Sequence, residues 1–221
     1  MTHQNIQAVI FDLDGTLIDT ERTAQRAWQR AFAEFGFALP DDVYLQAVGR
    51  TAPDTHRLWR AVLGEAVPLD DIRARKQTLL DGFYASEDIA LMPGALELLE
   101  VLHERRTPRA VATSTLSEAA HRKLRRTGLH HRFDAVVCGD EVAHGKPAPD
   151  IFLEAARRLH VDPSNCVVIE DSEAGVRAAH AAGAPVLMVP NMKPASDALR
   201  LLARAVFADL HQVLAWLQSQ Q

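Results

Sequence analysis

The stretch Ala8-Val9-Ile10-Phe11-Asp12-Leu13-Asp14-Gly15-Thr16 decides the fold of this chain. Its first four residues are apolar and include β-branched and aromatic side chains, which predicts a strand buried on both faces of a parallel sheet. The run stops at Asp12 and Asp14, and Gly15 follows directly. Because ligands bind at the carboxyl ends of strands in open α/β sheets, we expect chemistry at these two acids, although Asp and Gly also form ordinary turns. A bound divalent cation or a retained proton would relieve the repulsion between the carboxylates.

The composition limits the classes of function. The chain has 221 residues, of which 48% are hydrophobic and 24% charged, which suits one large domain or a domain with a smaller insert. The formal net charge of −5 disfavours nucleic-acid binding. We interpret the basic run Arg122-Lys123-Leu124-Arg125-Arg126 as a solvated helix face.

The cysteines and the lengths of the apolar runs indicate the cellular compartment of the protein. Cys138 and Cys166 both lie in apolar, strand-like runs, so we expect buried free thiols in a reducing compartment. No apolar run reaches the length of a membrane span, and the first residues do not resemble a signal segment. We therefore expect a cytoplasmic protein, a monomer or weak dimer, with neither membrane nor nucleic-acid partners.

Two regions differ in their hydrophobic pattern. Residues 17–90 show helical spacing interrupted by Gly and Pro and contain no run typical of a parallel strand. After residue 91, strand-like runs alternate with helical segments, and these runs are 109–113, 133–138, 166–169, 185–189 and 205–207. The pattern predicts an α/β fold, in which residues 1–16 and 91–221 form a Rossmann-like parallel sheet with helices on both faces. Residues 17–90 are predicted to form an inserted α-helical domain.

Three further polar segments accompany the predicted sheet. They are Thr113-Ser114-Thr115, Gly145-Lys146-Pro147 and Glu170-Asp171-Ser172. Each alone could be a helix cap, a surface turn or an acidic first turn of a helix. Together with Asp12 and Asp14, they indicate a phosphoryl-transfer site.

Each residue type in this set suits a step of that chemistry. Acidic oxygens bind Mg²⁺, and the acids in the set are Asp12, Asp14, Glu170 and Asp171. The ammonium of Lys146 and the hydroxyl of Thr113, with main-chain N–H groups near Ser114, can bind phosphate oxygens. Asp12 can attack phosphorus, and Asp14 can protonate the leaving oxygen and then deprotonate water.

These segments, in this order and spacing, resemble the four motifs of the haloacid dehalogenase superfamily. The motif residues are Asp12-Leu13-Asp14-Gly15-Thr16, Thr113-Ser114, Lys146-Pro147 and Glu170-Asp171. The chain is most similar to the branch with a helical cap inserted after the first motif, which includes beta-phosphoglucomutases and phosphatases of sugar phosphates and nucleoside monophosphates. The resemblance implies Asp12 as nucleophile, Asp14 as acid and base, and Thr113 and Lys146 as phosphate ligands. It also implies magnesium ligands at Asp12, the Asp14 carbonyl and Asp171.

The resemblance also bears on the reaction. Dehalogenases lack the second acid of the first motif, so Asp14 favours phosphate chemistry. The cap histidine and arginine of the mutases match Ala24 and Ala52 here. We therefore expect a Mg²⁺-dependent phosphatase that acts on small phosphorylated metabolites through an aspartyl-phosphate. A phosphohexomutase is the alternative, and a non-catalytic phosphate-binding regulator is the remote one. The residues expected to reach the substrate are Glu21, Arg50, Thr51 and Lys193.

Overall fold

The chain folds into two compact units. The computed structural model describes residues 6–48, 52–86 and 88–220. The first, the sheet unit, comprises Met1–Asp19 and Ile89–Gln221, and the second, the helical unit, comprises Thr20–Asp88.

The sheet unit is built on six parallel strands in the order β3-β2-β1-β4-β5-β6. The strands are β1 (Ala8–Phe11), β2 (Arg109–Ala112), β3 (Ala135–Val137), β4 (Cys166–Glu170), β5 (Val186–Met188) and β6 (Ala205–Val206). The central strand β1 lies between β2 and β4, where Phe11 faces Val111 on one side and Ile169 on the other. The ends of these three strands therefore meet at one edge of the sheet.

Both faces of the sheet are buried under helices. Ala8 and Ile10 pack into one hydrophobic cluster, whereas Val9 and Phe11 pack into another. The helices of this unit are α5 (Ala95–Glu104), α6 (Ser117–Arg126), α7 (Asp150–Leu159), α8 (Glu173–Ala181), α9 (Asp197–Leu202) and α10 (Leu210–Ser219). Burial on both sides explains why β1 is apolar at every position.

The helical unit contains four helices among its described residues. They are α1 (Glu21–Glu34), α2 (Asp41–Ala47), α3 (Ala52–Leu63) and α4 (Leu69–Ser86). Trp59 of α3 packs edge-on against Trp28 and Phe32 of α1, at ring-centroid distances of 4.8 and 5.5 Å. The sequence pattern predicts a helix over residues 20–35 and only short helical pieces from 39 to 90, yet α4 runs for 18 residues through Gly82.

The predicted fold class is confirmed, and two local predictions need correction. The strand expected at residues 133–138 is limited to Ala135–Val137, because Cys138 already leads into a 3₁₀ turn at Gly139–Glu141. Helix α9 was not predicted. It is only six residues long, and the Ser196 hydroxyl caps it by accepting a hydrogen bond from the Leu199 N–H.

The remaining sequence expectations concern thiols and membranes. Cys138 and Cys166 are buried and free, and burial raises the pKa of both thiols to about 11. Within residues 6–48, 52–86 and 88–220, no helix combines the length and apolarity that crossing a membrane requires.

Candidate active site

The predicted polar segments converge at the carboxyl edge of the three central strands. Asp12 follows β1, and its N–H donates to the Ile169 carbonyl of β4 at 3.0 Å. Thr113 follows β2, and its N–H donates to the Val137 carbonyl of β3 at 3.0 Å. Main-chain pairing therefore continues past the strand ends and fixes the position of both residues.

Lys146 forms the centre of this edge. Its ammonium donates to Asp12 Oδ1 at 2.5 Å, to Glu170 Oε1 at 2.7 Å and to the Ala112 carbonyl at 3.0 Å. An ammonium has three protons, so all three are used. The side chain is only 4% exposed, although Lys146 comes from the loop before α7. Lys146 thus links the ends of β1, β2 and β4.

The charges of this cluster do not balance. One ammonium faces two carboxylates, and Asp12 and Glu170 are both buried. Burial away from water raises the pKa of the Asp12 carboxyl above its usual range; Lys146 opposes this effect, while Glu170 and Asp14 add to it. Burial alone would lower the pKa of Lys146, but Asp12 and Glu170 raise it above its ordinary value. Lys146 therefore only partly offsets the cost of burying an ionised carboxylate at Asp12.

Glu170 is held from both sides. While Oε1 accepts from Lys146, Oε2 accepts from the N–H of Ser172 at 2.8 Å and from its hydroxyl at 2.9 Å. A Cβ added at Gly175 of α8 would lie 1.7 Å from Oε1, so only glycine leaves room for this carboxylate. Glu170 is the buried counter-ion of Lys146.

Asp14 points to different partners from Asp12. Its Oδ2 accepts from the Thr115 hydroxyl and its Oδ1 from the Lys123 ammonium, both at 2.6 Å. The Lys123 side chain is 12% exposed, so the solvated-face interpretation of the basic run is wrong for this residue. Lys123 lies on α6, far from Asp14 in the sequence. No local sequence pattern shows that this helix brings Lys123 to the end of the first strand. Sequence reasoning therefore missed both Thr115 and Lys123 as partners of Asp14.

Asp171 lies against the turn that follows β1. Its Oδ1 accepts from the Thr16 hydroxyl at 3.4 Å. Gly15 has φ +85°, and a Cβ there would come within 2.4 Å of Asp171 Oδ2. The turn therefore requires glycine for both its conformation and its space. Asn191, which was not predicted, donates to the Gly15 carbonyl at 3.3 Å.

The predicted phosphate ligands differ in exposure. Thr113 is buried, and its hydroxyl oxygen accepts from the Thr115 N–H at 3.1 Å. Ser114 is exposed, and its carbonyl lies 2.4 Å from where a Cβ of Gly139 would be. The structure thus places both residues at the edge that carries Asp12, Asp14 and Lys146.

The predicted metal ligands are all oxygen groups at this edge of the sheet. Across residues 6–48, 52–86 and 88–220, no three His, Cys, Asp or Glu side chains are grouped so that they could hold a metal ion. Among the predicted ligands, Glu170 already accepts hydrogen bonds at both oxygens, from Lys146 and from Ser172. Two carboxylates and a main-chain carbonyl, those of Asp12, Asp171 and Asp14, remain. This all-oxygen set fits Mg²⁺, which takes few carboxylates and keeps places for water and phosphate.

The remaining predicted substrate residues belong to other segments of the chain. Glu21 begins α1 in the helical unit, where it lines a cavity. Arg50 and Thr51 lie outside the described residues. Lys193 follows β5 in the sheet unit.

Comparison with known proteins agrees with this geometry. Residues 6–183 match the family model of haloacid dehalogenase-like hydrolases. The chain is 37% identical over 183 residues to a fructose-1-phosphate phosphatase from Escherichia coli, an alignment that covers 82% of this chain and 95% of the relative. The chain belongs to the haloacid dehalogenase-like hydrolase family and is an enzyme of the phosphoric monoester hydrolase class.

Two solved structures are similar over nearly the whole chain. A hydrolase of this family from Deinococcus radiodurans, with bound phosphate and sodium, has a TM-score of 0.86 and 30% identity, and the match covers 98% of this chain and 97% of that one. A Thermotoga maritima protein provisionally described as a beta-phosphoglucomutase has a TM-score of 0.79 and 33% identity, with 96% and 99% covered. The predicted family resemblance is confirmed.

Proposed function

We propose that this protein is a Mg²⁺-dependent phosphatase that hydrolyses small phosphate monoesters, such as sugar phosphates or nucleoside monophosphates, through an aspartyl-phosphate. The observation that carries the proposal is the triad in which buried Lys146 bridges Asp12 and Glu170. A buried ammonium at the carboxyl edge of the sheet holds Asp12 in place and offers positive charge to an incoming phosphate. The sugar-phosphate activity of the Escherichia coli relative supports the substrate class.

The residues divide the reaction into two displacements. In the first, an oxygen of Asp12 forms a bond to phosphorus, the bond from phosphorus to the leaving oxygen breaks, and Asp14 gives that oxygen its proton. In the second, Asp14 takes a proton from water, the water oxygen bonds to phosphorus, and the bond to Asp12 breaks. Inorganic phosphate and free Asp12 result, so Asp14 ends as it began.

Other groups of the site bind the phosphoryl oxygens. The Thr113 hydroxyl and the main-chain N–H of Ser114 are the proposed donors, and the Lys146 ammonium would bind the phosphoryl group through its positive charge. The oxygens of Asp12, Asp171 and the Asp14 main chain would hold Mg²⁺, which when bound supplies positive charge that offsets the repulsion between carboxylates and phosphate.

Domain roles are part of this proposal. Residues 1–16 and 91–221 would carry the catalytic groups, and residues 17–90 would act as the cap that selects the leaving group, with Glu21, Arg50 and Thr51 as its proposed substrate contacts. We also propose that the protein is soluble, resides in the cytoplasm and is a monomer or weak dimer. The net charge and the absence of long apolar runs support it.

A panel of phosphorylated metabolites, with phosphate release as the readout, tests the function. We expect turnover of several small monoesters with Mg²⁺, none with excess chelator, and recovery when Mg²⁺ is restored. Full activity in chelator would overturn the metal assignment.

The mutase remains the second candidate because the chain is similar to the Thermotoga maritima protein described above. Ala24 and Ala52, at the positions of the mutase cap residues, cannot hydrogen-bond through their side chains, which favours hydrolysis. The discriminating assay supplies beta-glucose 1-phosphate and follows phosphate and glucose 6-phosphate together. Efficient isomerisation with little phosphate released would replace the phosphatase proposal.

A further inference from the structure

The turn after β3 packs against the phosphate loop, residues 113–116, which contains the proposed phosphate donors. This turn is the 3₁₀ segment Gly139–Glu141. The Gly139 N–H donates to the Thr115 carbonyl at 3.1 Å. A Cβ at Gly139 would lie 2.4 Å from the Ser114 carbonyl oxygen. The turn therefore approaches the phosphate loop so closely that a larger residue would displace the loop.

Helix α6 begins directly after the phosphate loop without a cap of its own. Its N-cap residue is Leu116, whose apolar side chain is 62% exposed and cannot accept a hydrogen bond. The first N–H groups of a helix need acceptors, and Ser, Thr, Asp or Asn usually supplies one from the N-cap position. The N–H of Ser117, the first helical residue, therefore needs an acceptor from another segment of the chain.

Asp140 supplies this acceptor from the turn after β3. Its Oδ1 accepts from the Ser117 N–H at 2.9 Å and from the Ser117 hydroxyl at 2.8 Å. These hydrogen bonds hold the pKa of the Asp140 carboxyl below its ordinary value, so the side chain is a carboxylate at neutral pH. Gly139 and Asp140 thus bind the chain on either side of Leu116, at Thr115 and at Ser117.

The turn is fixed by the sheet and by α7. Glu141 Oε2 accepts from the Cys138 N–H at 2.8 Å, and its Oε1 accepts from Arg158 of α7 at 2.9 Å. Arg158 also donates to the Val136 carbonyl of β3 at 2.8 Å. The residue after Asp140 is therefore anchored independently of the phosphate loop, and Asp140 presents its carboxylate from a fixed support.

Two groups of the proposed site depend on where this loop lies. The Ser114 N–H is a proposed phosphate donor, and the Thr115 hydroxyl donates to Asp14 Oδ2 at 2.6 Å. A misplacement of about 1 Å, even one caused by a change away from the chemistry, can slow a reaction about a hundredfold. Whatever fixes the loop therefore affects phosphate binding.

We propose that Asp140 is a positioning residue for phosphate binding. By capping α6 from outside the helix, its carboxylate holds the phosphate loop where the Ser114 N–H and the Thr113 hydroxyl can bind phosphate oxygens. The inference rests on the proposed function, because it takes this loop as the phosphate-binding loop. Asp140 acts through Ser117 and not on the phosphate itself.

Asp162 offers a matched control for the loss of a capping carboxylate. Its Oδ1 accepts from the N–H and the hydroxyl of Ser164 at 2.9 and 2.6 Å, the same two bonds that Asp140 makes with Ser117. Asp162 lies before β4, at the edge of the sheet opposite the site. Asp140→Ala and Asp162→Ala should therefore lose similar amounts of stability, and only the first should affect phosphate.

Calorimetry with inorganic phosphate and Mg²⁺ measures binding by the full chain without requiring turnover. At a temperature well below every melting transition, Asp140→Ala should bind phosphate about tenfold more weakly than wild type. Asp140→Asn keeps an acceptor oxygen for Ser117, so its affinity should stay within about twofold of wild type. Asp162→Ala should bind phosphate like wild type although its melting temperature falls.

A second variant covers the case in which Asp140→Ala fails to fold. Gly139→Ala should weaken phosphate binding as well, because its Cβ would displace the Ser114 carbonyl. Gly82→Ala, whose Cβ would meet nothing within 4 Å, should leave phosphate binding unchanged.

Three results would overturn the proposal. They are wild-type phosphate affinity in Asp140→Ala, an equal loss in Asp140→Asn, and an equal loss in Asp162→Ala. The metabolite panel separates this inference from the proposed function. If the wild type hydrolyses monoesters and Asp140→Ala keeps full phosphate affinity, only the positioning role is refuted. A wild type that neither binds phosphate nor hydrolyses monoesters would refute both.

Discussion

Replacing Gly175 by alanine tests how tightly the buried Glu170 carboxylate is packed. Alanine is a better helix former than glycine by up to about 1 kcal/mol, so helix propensity alone predicts a stabilised protein. The new Cβ, however, would lie 1.7 Å from Glu170 Oε1 and 1.9 Å from its carboxyl carbon, which forces the carboxylate to move. Overpacking of this kind costs about 1–3 kcal/mol. Losing one hydrogen bond of the charged carboxylate costs about 1.5–3 kcal/mol more.

The expected net effect is a destabilisation of about 1.5–5 kcal/mol, or a melting temperature lower by about 3–20 °C for a chain of this size. Gly82→Ala is the matched control, because Gly82 is also helical, in α4, but nothing lies within 4 Å of its would-be Cβ. That substitution should stabilise by up to about 1 kcal/mol. Thermal and urea unfolding of both variants measure the difference. If Gly175→Ala were as stable as Gly82→Ala, the tight packing of Glu170 would be refuted.

Three further predictions concern individual charges. Asp12→Asn should abolish turnover, yet its melting temperature should not fall, because Lys146 and Glu170 remain as a balanced pair; wild-type turnover would exclude Asp12 as the nucleophile. Lys123→Met should lower kcat about tenfold or more with little change in KM, because it removes the ammonium that holds the Asp14 carboxylate. Lys123→Arg, which keeps a positive charge, should retain part of the rate. Equal kcat in wild type and Lys123→Met would contradict this positioning role. Arg157 and Arg158 lower the pKa of Glu154 to about 2, so stability should be complete above about pH 4.3 and fall as pH drops towards 2. Melting temperatures of Glu154→Gln should vary less over that window, and an identical pH profile would remove the effect.

The sheet was predictable because the strand pattern is local. A parallel strand buried on both faces is apolar along its length, and β1 and β4 each carry that pattern in four consecutive residues, followed by an acid within two positions. The positions of Asp12 and Asp171 follow, since both end central strands. Helix α9 has only six residues, which is too short for a helical pattern of apolar residues to be recognised in the sequence. A helix of this length is stable only when it packs against the rest of the fold.

Partner choice within the site was less predictable. A carboxylate that follows a strand can bind a metal ion, pair with a lysine or accept hydrogen bonds from a helix N-terminus. The sequence alone does not show which of these partners it has. Glu170 pairs with Lys146 because Gly175, five residues later, leaves space for its side chain. Asp14 pairs with Lys123 across 109 residues of chain. Both pairings depend on how helices α6 and α8 dock, which no short pattern encodes.

The two carboxylates of the first motif therefore have different surroundings, and this difference separates their proposed roles. Asp12 is buried and held by Lys146, whose other protons go to Glu170 and a main-chain carbonyl. A group fixed this way suits attack on phosphorus, because its position is set before the substrate arrives. Asp14 is 21% exposed and is held by Thr115 and Lys123 rather than by Lys146. A group that must give a proton to the leaving oxygen and later take one from water needs access to solvent, so the greater exposure of Asp14 supports the division of labour between the two acids.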